Sequence, residues 1–182
     1  MRSAKSSFIV GLIGTEITTE AKPDFQLPAK IWVITDKLEE LSVSVTQEEI
    51  DWGLLPGFAA AKFLCYLKDD PTKQPAFMRI YCQIPTQGAE LSKAPTTKPV
   101  PTRELDELVA FKALMKNGCL VVPQLLGYQE GTQGNDGIIP GGFTTTIVWE
   151  KVPGVPLSQE YFWGLDRSQR DTIRAEFRRV YE

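Results

Sequence analysis

Apolar runs separated by polar, proline-containing segments predict β-strands along the first half of the chain. A short strand is expected at residues 30–35 (KIWVIT), followed by a turn or a single helical turn at residues 36–41. Two longer apolar runs occupy residues 58–67 (FAAAKFLCYL) and 76–84 (AFMRIYCQI). The connection between them is polar and turn-rich, which predicts an antiparallel hairpin. Residues 1–30 show no regular pattern.

The second half of the chain alternates between loops, helices and strands. A proline-rich loop at residues 85–101 precedes an amphipathic helix, for which Thr102 is the expected N-cap. Strands are expected at residues 119–129 and 143–152, and Asp166 should cap a final helix. Antiparallel strands with one helix inserted after the hairpin predict an α+β domain.

The final helix carries an apolar face that needs a partner. Ile173, Phe177, Val180 and Tyr181 fall on one side of it, and no later element is present to cover them. We therefore expect this helix to fold back on the strands, or to pack against a missing domain or a protein partner.

The composition limits the classes of function. The chain has 182 residues and a net charge of −3, which fits one soluble domain and gives no basic surface for nucleic acid. It contains no histidine, which excludes histidine-based nucleophilic catalysis and imidazole-ligated zinc. Cys65, Cys82 and Cys119 are far apart and are expected to be buried thiols.

The expected location is the cytoplasm, with no association with membranes. No apolar run approaches the roughly 18 residues that a membrane-spanning helix needs. The short apolar run near the N-terminus is followed by Glu16 and Glu20, which disfavours a signal peptide.

Arg79 interrupts an otherwise apolar strand. A charge in a low-dielectric environment is costly unless it is paired, so a partner is expected nearby. Glu104 and Glu107 lie on the helix that follows, and either carboxylate could pair with Arg79. A cation on a strand paired with an acid on the next helix is usually a structural ion pair, but it is also the phosphate-positioning pair of kinases.

Four stretches give the chain a resemblance to a known family. They resemble fungal kinase-like proteins related to aminoglycoside and choline phosphotransferases. The stretches are FMRIYCQIP, RELDELVAFKALMKNGC, PQLLGYQE, and GGFTTTIVWEKVPGVPL with FWGLDRSQRDTIRAEF. They match the family's lysine strand, its helix C, the next strand, and the last strand of the N-terminal lobe (N-lobe) with the hinge and the first helices of the second lobe (C-lobe). The resemblance covers residues 58–182 and leaves the first fifty unplaced.

The resemblance implies a kinase-like N-lobe, with an antiparallel sheet and one inserted helix, followed by the start of a C-lobe. Residues 1–49 would be an N-terminal extension with a short strand, and residues 50–152 would form the N-lobe. Residues 153–182 would be the hinge exit and the truncated start of the C-lobe.

The resemblance also implies roles for individual residues. Arg79 stands where the family has its ATP-phosphate lysine, and Glu107 is the better candidate for the helix C glutamate, with Glu104 as the alternative. Trp149 would lie at the gate behind the adenine. The backbone carbonyl and N–H of Glu150 and Val152 would meet the adenine edge at the hinge.

The departures from the family pattern reduce the chemistry expected of the chain. The expected lysine is Arg79, whose planar guanidinium is not equivalent to an ammonium. No GxGxxG precedes the hairpin; WGLLPGF has two glycines at another spacing. The family's aspartate base and metal-binding motif lie beyond the hinge, and few residues follow Val152. No catalytic or metal-ligating residue is therefore predicted.

The expected function is that of an inactive kinase-like N-lobe, at most a binding or regulatory module. One alternative is the N-terminal part of an ATP-dependent phosphotransferase whose C-lobe is missing from this chain; another is a nonfunctional truncated product. Half of a nucleotide cleft encloses little, so ATP binding is expected to be weak. Mg²⁺ is not expected to bind without the C-lobe.

Overall fold

The computed structural model describes residues 7–88, 97–154 and 157–181. In these ranges the chain has an α+β fold with one six-stranded antiparallel sheet and four α-helices. The strands are β1 (Glu16–Thr19), β2 (Lys30–Val43), β3 (Phe58–Leu67), β4 (Pro75–Gln83), β5 (Leu125–Thr132) and β6 (Phe143–Glu150). The helices are α1 (Gln47–Asp51), α2 (Asp106–Lys116), α3 (Gln159–Gly164) and α4 (Arg167–Tyr181). The strand order across the sheet is β1-β2-β3-β4-β6-β5.

The central hairpin is confirmed, whereas the turn predicted at residues 36–41 is wrong. β3 pairs with β4 from Phe58 opposite Gln83 to Tyr66 opposite Pro75. β2 continues through the predicted turn, where Asp36 and Glu39 are exposed and Lys37 and Glu40 are partly buried against residues 7–9. β2 stays paired with β3 along this stretch, with two bulges that shift the register. The backbone hydrogen bonds between the two strands outweigh the low strand propensity of the lysine and glutamates in β2.

The inserted helix α2 begins later than predicted. Thr102 is not its N-cap; Leu105 occupies that position in an extended conformation and provides no side-chain cap. Leu105 is buried in the core, which holds the residues before the helix in an extended path. Glu104 consequently precedes the helix, whereas Glu107 lies in its first turn.

Apolar side chains pack on both faces of the sheet, although the helix face is covered over only part of its width. On the helix face, Leu105 and Leu108 pack over β3, β4, β5 and β6. On the opposite face, Ile9 covers the apolar side of β2, β3 and β4. Residues 7–14 form an N-terminal strap held by the Glu40 carboxylate, which accepts hydrogen bonds from the strap and from Lys37.

The two edge strands of the sheet approach one another. β1 lies against β5, and a Cβ on Gly127 would lie 2.7 Å from the hydroxyl oxygen of Thr19, so this position requires glycine. The sheet includes β1 and β2, which precede the predicted boundary at residue 50. The division into 1–49, 50–152 and 153–182 stays a prediction. None of the described helices is long and apolar enough to cross a membrane.

The C-terminal helices form a separate small cluster. Asp166 caps α4 as predicted: its carboxylate accepts from the Gln169 N–H at 2.8 Å. Arg170 stacks on Trp163 and Arg174 on Phe162, which joins α4 to α3. Neither hydrophobic core contains a described residue of α3 or α4. Ile173 is half-buried, Val180 is exposed, and the side chain of Tyr181 lies outside the described residues.

Candidate functional site

The helix face of β4 carries a row of three long side chains. Phe77, Arg79 and Tyr81 are spaced by two residues and therefore project on the same side of the strand. Lys62 of β3 lies directly opposite Arg79, and Trp149 of β6 lies directly opposite Phe77. We call these five residues, with Glu39 and Glu107, the Arg79 cluster.

Arg79 is paired with the predicted helix carboxylate. Its Nη1 donates to Glu107 Oε1 at 2.6 Å, and the Tyr81 hydroxyl donates to Glu107 Oε2 at 2.7 Å. A second carboxylate, Glu39 of β2, lies 3.6 Å from Arg79 Nη2. The pairing between Arg79 and Glu107 is thus present, and Glu104, the alternative partner, is not among the ion pairs of Arg79 in the described residues.

Arg79 and Tyr81 both have raised pKa values. Burial by itself lowers the pKa of Arg79, but the Glu107 carboxylate and the Tyr81 hydroxyl outweigh that effect and leave the pKa raised. Burial, with the neighbouring Glu107 carboxylate, raises the pKa of Tyr81 to about 12. A general acid or base is most efficient with a pKa near the working pH, so neither Arg79 nor Tyr81 suits that role.

Aromatic rings cover the cations of the cluster. The Arg79 guanidinium lies 5.4 Å from the centre of the buried Trp149 ring. Lys62 Nζ lies 4.1 Å from the centre of Phe77 and 5.9 Å from that of Trp149. Lys62 and Arg79 face each other in the register and repel, and the contacts with the aromatic rings offset part of this repulsion. Two cations and two carboxylates leave the cluster without net charge.

The predicted hinge residues lie at and beyond the end of β6. The Glu150 N–H donates to the Gln124 carbonyl at 2.9 Å, which ties this strand end to the segment before β5. Val152 is 43% exposed, and Gly154 turns the chain with a φ of +120°, a conformation that favours glycine. The structure thus brings Arg79, Glu107 and Trp149 together and leaves Glu150 and Val152 outside the cluster; their roles towards a nucleotide stay predictions.

Four members of the cluster were missed from the sequence: Glu39, Lys62, Phe77 and Tyr81. Phe77 and Tyr81 had a readable signal, because each lies two residues from Arg79 on the same strand and must share its face. Glu39 and Lys62 had none, because their positions depend on the register of β2 and β3 and on the two bulges between them.

The half of the helix face formed by β2 and β3 is open. Leu41 and Val43 are 47% and 45% exposed, although they lie opposite Ala60 and Phe58 of β3, whose side chains belong to or border the core. This open surface adjoins Lys62 and Glu39 on the same strands. It is the part of the sheet that offers room for a ligand or partner next to the Arg79 cluster.

Cys65 and Cys82 offer no reactive thiolate. Burial raises the pKa of Cys65 to about 12, and burial with the charge of Glu40 raises that of Cys82 to about 11. Cys119 is only half-buried, so the prediction of burial is wrong there, because it follows the end of α2 at the surface. In residues 7–88, 97–154 and 157–181, no group of three or more acidic or cysteine side chains is placed to hold a metal ion.

No protein-family model matches the chain, and none of the curated proteins or solved structures matches it.

Proposed function

We propose that the chain is an N-lobe of the protein-kinase-like fold that acts as a binding or regulatory module and does not transfer phosphate by itself. The element order supports the proposal, because α2 is inserted between β4 and β5 of an antiparallel sheet. The pair between Arg79 on β4 and Glu107 on α2 supports it further, since kinases place a phosphate-positioning cation and its helix glutamate on such elements.

The observation that carries the proposal is the full engagement of Arg79. Its Nη1 is bonded to Glu107, its Nη2 lies close to Glu39, and its guanidinium lies over the Trp149 ring. A nucleotide phosphate would have to displace a carboxylate from a half-buried guanidinium, and this exchange carries a large desolvation cost. Arg79 therefore acts as a link between the sheet and α2 and is not presented to a phosphate.

Nucleotide titration tests this proposal. Calorimetry of the whole chain with ATP and Mg²⁺ should show no saturable binding in the micromolar range. Arg79→Ala should lower the free energy of unfolding, whereas the control Arg167→Ala, at a side chain 90% exposed on α4, should leave it unchanged. Micromolar ATP binding that disappears in a folded Arg79→Ala variant would contradict the proposal.

A second candidate is the N-terminal part of an ATP-dependent phosphotransferase completed by a C-lobe. The open surface of β2 and β3 beside the Arg79 cluster favours it, since it would form one wall of a nucleotide cleft. In that case the chain alone should bind ATP weakly, Arg79→Lys should retain the binding and Arg79→Ala should lose it. Mg²⁺ would be held by the C-lobe. Loss of binding in Arg79→Lys as well would count against this candidate.

We propose that the partner, whether a C-lobe or another protein, contacts the α3–α4 cluster. Leu157 and Trp163 are more than half exposed there, and no residue of these helices contributes to the sheet's cores among the described residues. Amide hydrogen exchange on the chain alone should be faster in α4 than in β4. Equal protection of the two would contradict this assignment. The free thiols agree with a cytoplasmic location, which remains part of the proposal.

A further inference from the structure

A cavity of about 320 Å³ lies at the start of α2, apart from the Arg79 cluster. It is bounded by the segment before α2, the end of β5 and the beginning of β6. Pro101 and Phe143 form an apolar wall, and Arg103 and Thr145 provide polar groups. A cavity of this size, mostly apolar with a few convergent polar groups, is typical of a site for a small organic ligand.

Arg103 places an unpaired cation in this cavity. Its Nη1 donates to the Pro56 carbonyl at 2.5 Å, and its guanidinium stacks on Phe58 at 4.6 Å and on Phe143 at 5.7 Å. Its Nε is buried and has no hydrogen-bond partner, and no carboxylate of the described residues forms an ion pair with Arg103. Burial lowers the pKa of Arg103, and the charge of Asp106 only partly offsets this. Arginine nevertheless stays charged, so the cavity holds a positive charge that the Asp106 carboxylate offsets only in part.

Thr145 supplies a second unsatisfied group. The residue is only 2% exposed and lines the cavity, yet its hydroxyl has no hydrogen-bond partner among the described residues. Its neighbour Thr144 shows the usual solution, since that hydroxyl donates to the Tyr81 carbonyl at 3.0 Å. Arg103 Nε and Arg170 Nε are the buried side-chain atoms without a partner among the described residues, so the Thr145 hydroxyl is not one of them and remains accessible to an acceptor atom in the cavity.

The acidic residue at the rim does not oppose an anion. Glu130 borders the cavity, but Lys112 lies 3.2 Å from its carboxylate and neutralises it. Lys112 is held in place over the Tyr128 ring, with its Nζ 4.3 Å from the ring centre. The cavity is therefore bounded by one neutralised pair and by the Arg103 cation, which forms no ion pair among the described residues and is offset only in part by Asp106, so its net character is positive.

We propose that this cavity binds a small organic carboxylate, with the carboxylate on Arg103 and Thr145 and the apolar body against Phe143 and Pro101. A charge-assisted hydrogen bond from the guanidinium and a hydrogen bond from the hydroxyl would satisfy both unpaired groups. The apolar wall favours an organic anion over inorganic phosphate, which would leave that wall in contact with water. This site is independent of the function proposed for the Arg79 cluster.

Titration of the whole chain with benzoate, followed by two-dimensional amide NMR, tests the proposal. Benzoate should produce saturable shifts at the amides of Gly131, Thr132 and Thr145. Benzyl alcohol, the neutral analogue, should bind at least about tenfold more weakly, because it lacks the charge that the guanidinium needs. Inorganic phosphate at the same concentration should not displace benzoate.

Variants locate the interaction on the two polar groups. Arg103→Gln should weaken benzoate binding by about tenfold or more, and Thr145→Val by about threefold to tenfold. Lys116→Gln removes the same charge from an exposed position at the far end of α2 and should leave binding unchanged. If Arg103→Gln fails to fold, benzoate binding by Thr145→Val alone tests the proposal. Valine has nearly the volume of threonine, so this variant should fold.

Four results would overturn the proposal. They are the absence of saturable shifts, equal affinity for benzyl alcohol, displacement of benzoate by phosphate, and unchanged benzoate binding in Thr145→Val together with Arg103→Gln where that variant folds.

Discussion

Arg79 and Arg103 are two half-buried arginines on the same face of the sheet, and their surroundings differ in one respect. Arg79 has two carboxylates within 3.6 Å, whereas Arg103 has a backbone carbonyl and two aromatic rings. The first guanidinium is satisfied from within the chain and links β4 to α2. The second retains unused donors beside a cavity. A paired charge thus indicates a structural role, and an unpaired one indicates where a ligand can bind.

Removal of the carboxylate that holds Arg79 should have the largest effect. Glu107→Ala leaves Arg79 with the more exposed Glu39 alone and the Tyr81 hydroxyl without its acceptor. Urea unfolding should show a loss of about 2 kcal/mol in the free energy of unfolding, below the figure for a fully buried pair because both side chains are partly exposed.

Glu104→Ala is the matched control for this change. Glu104 lies three residues before Glu107 but is exposed and precedes α2, so the variant should change stability by less than about 0.5 kcal/mol. Equal losses in the two variants would show that Glu107 has no special role.

Replacing Arg103 by a neutral residue should lower the free energy of unfolding by less than the same replacement of Arg79. Arg103→Met keeps the apolar stem that packs on Phe58 and removes a partly compensated charge, but leaves the Pro56 carbonyl without its donor. The expected loss is about 1 kcal/mol or less, against about 2 kcal/mol for Arg79→Met. A larger loss for Arg103→Met, measured by the same unfolding curves, would break the contrast between the two arginines.

The Glu40 carboxylate, which holds the N-terminal strap, should make the stability of the fold depend on pH. Burial alone would raise its pKa, but hydrogen bonds from Lys37, Phe8, Ser7 and Ile9 keep it below the ordinary value of 4.5. A depressed carboxyl pKa contributes stability that is present above the unfolded value and is lost as pH falls through the folded one.

Glu40→Gln should therefore lower stability by about 1 kcal/mol at pH 7, and the difference from the wild type should shrink as the pH falls below 4.5. The check is a series of urea unfolding curves between neutral and acid pH. A difference that stays constant across this range would exclude the strap carboxylate as its source.

The parts of the fold that could be predicted are those with a local signal. The β3–β4 hairpin followed from two apolar runs joined by a polar turn, and the α4 cap from Asp166 ahead of a periodic segment. The second half of β2 was missed because its lysine and glutamates favour a helix or turn, and only pairing with β3 makes them a strand.

Part of the site was predictable from the sequence. A charge in an apolar strand requires a partner, which pointed from Arg79 to Glu104 or Glu107 on the next element. The family resemblance favoured Glu107 and added Trp149. Glu39 and Lys62 depend on the register of distant strands, and the Arg103 cavity depends on where the segment before α2 leaves the core. No local pattern in the sequence indicates the register between β2 and β3 or the path of the segment before α2.

We propose that Arg79 links the sheet to α2 and does not hold a phosphate. The decisive measurement is a double-mutant cycle with Arg79→Met, Glu107→Leu and the double variant, with unfolding followed without and with ATP and Mg²⁺. We expect a coupling energy of about 2 kcal/mol that ATP does not change. A coupling near zero, or an ATP-dependent stabilisation that requires Arg79, would refute this role.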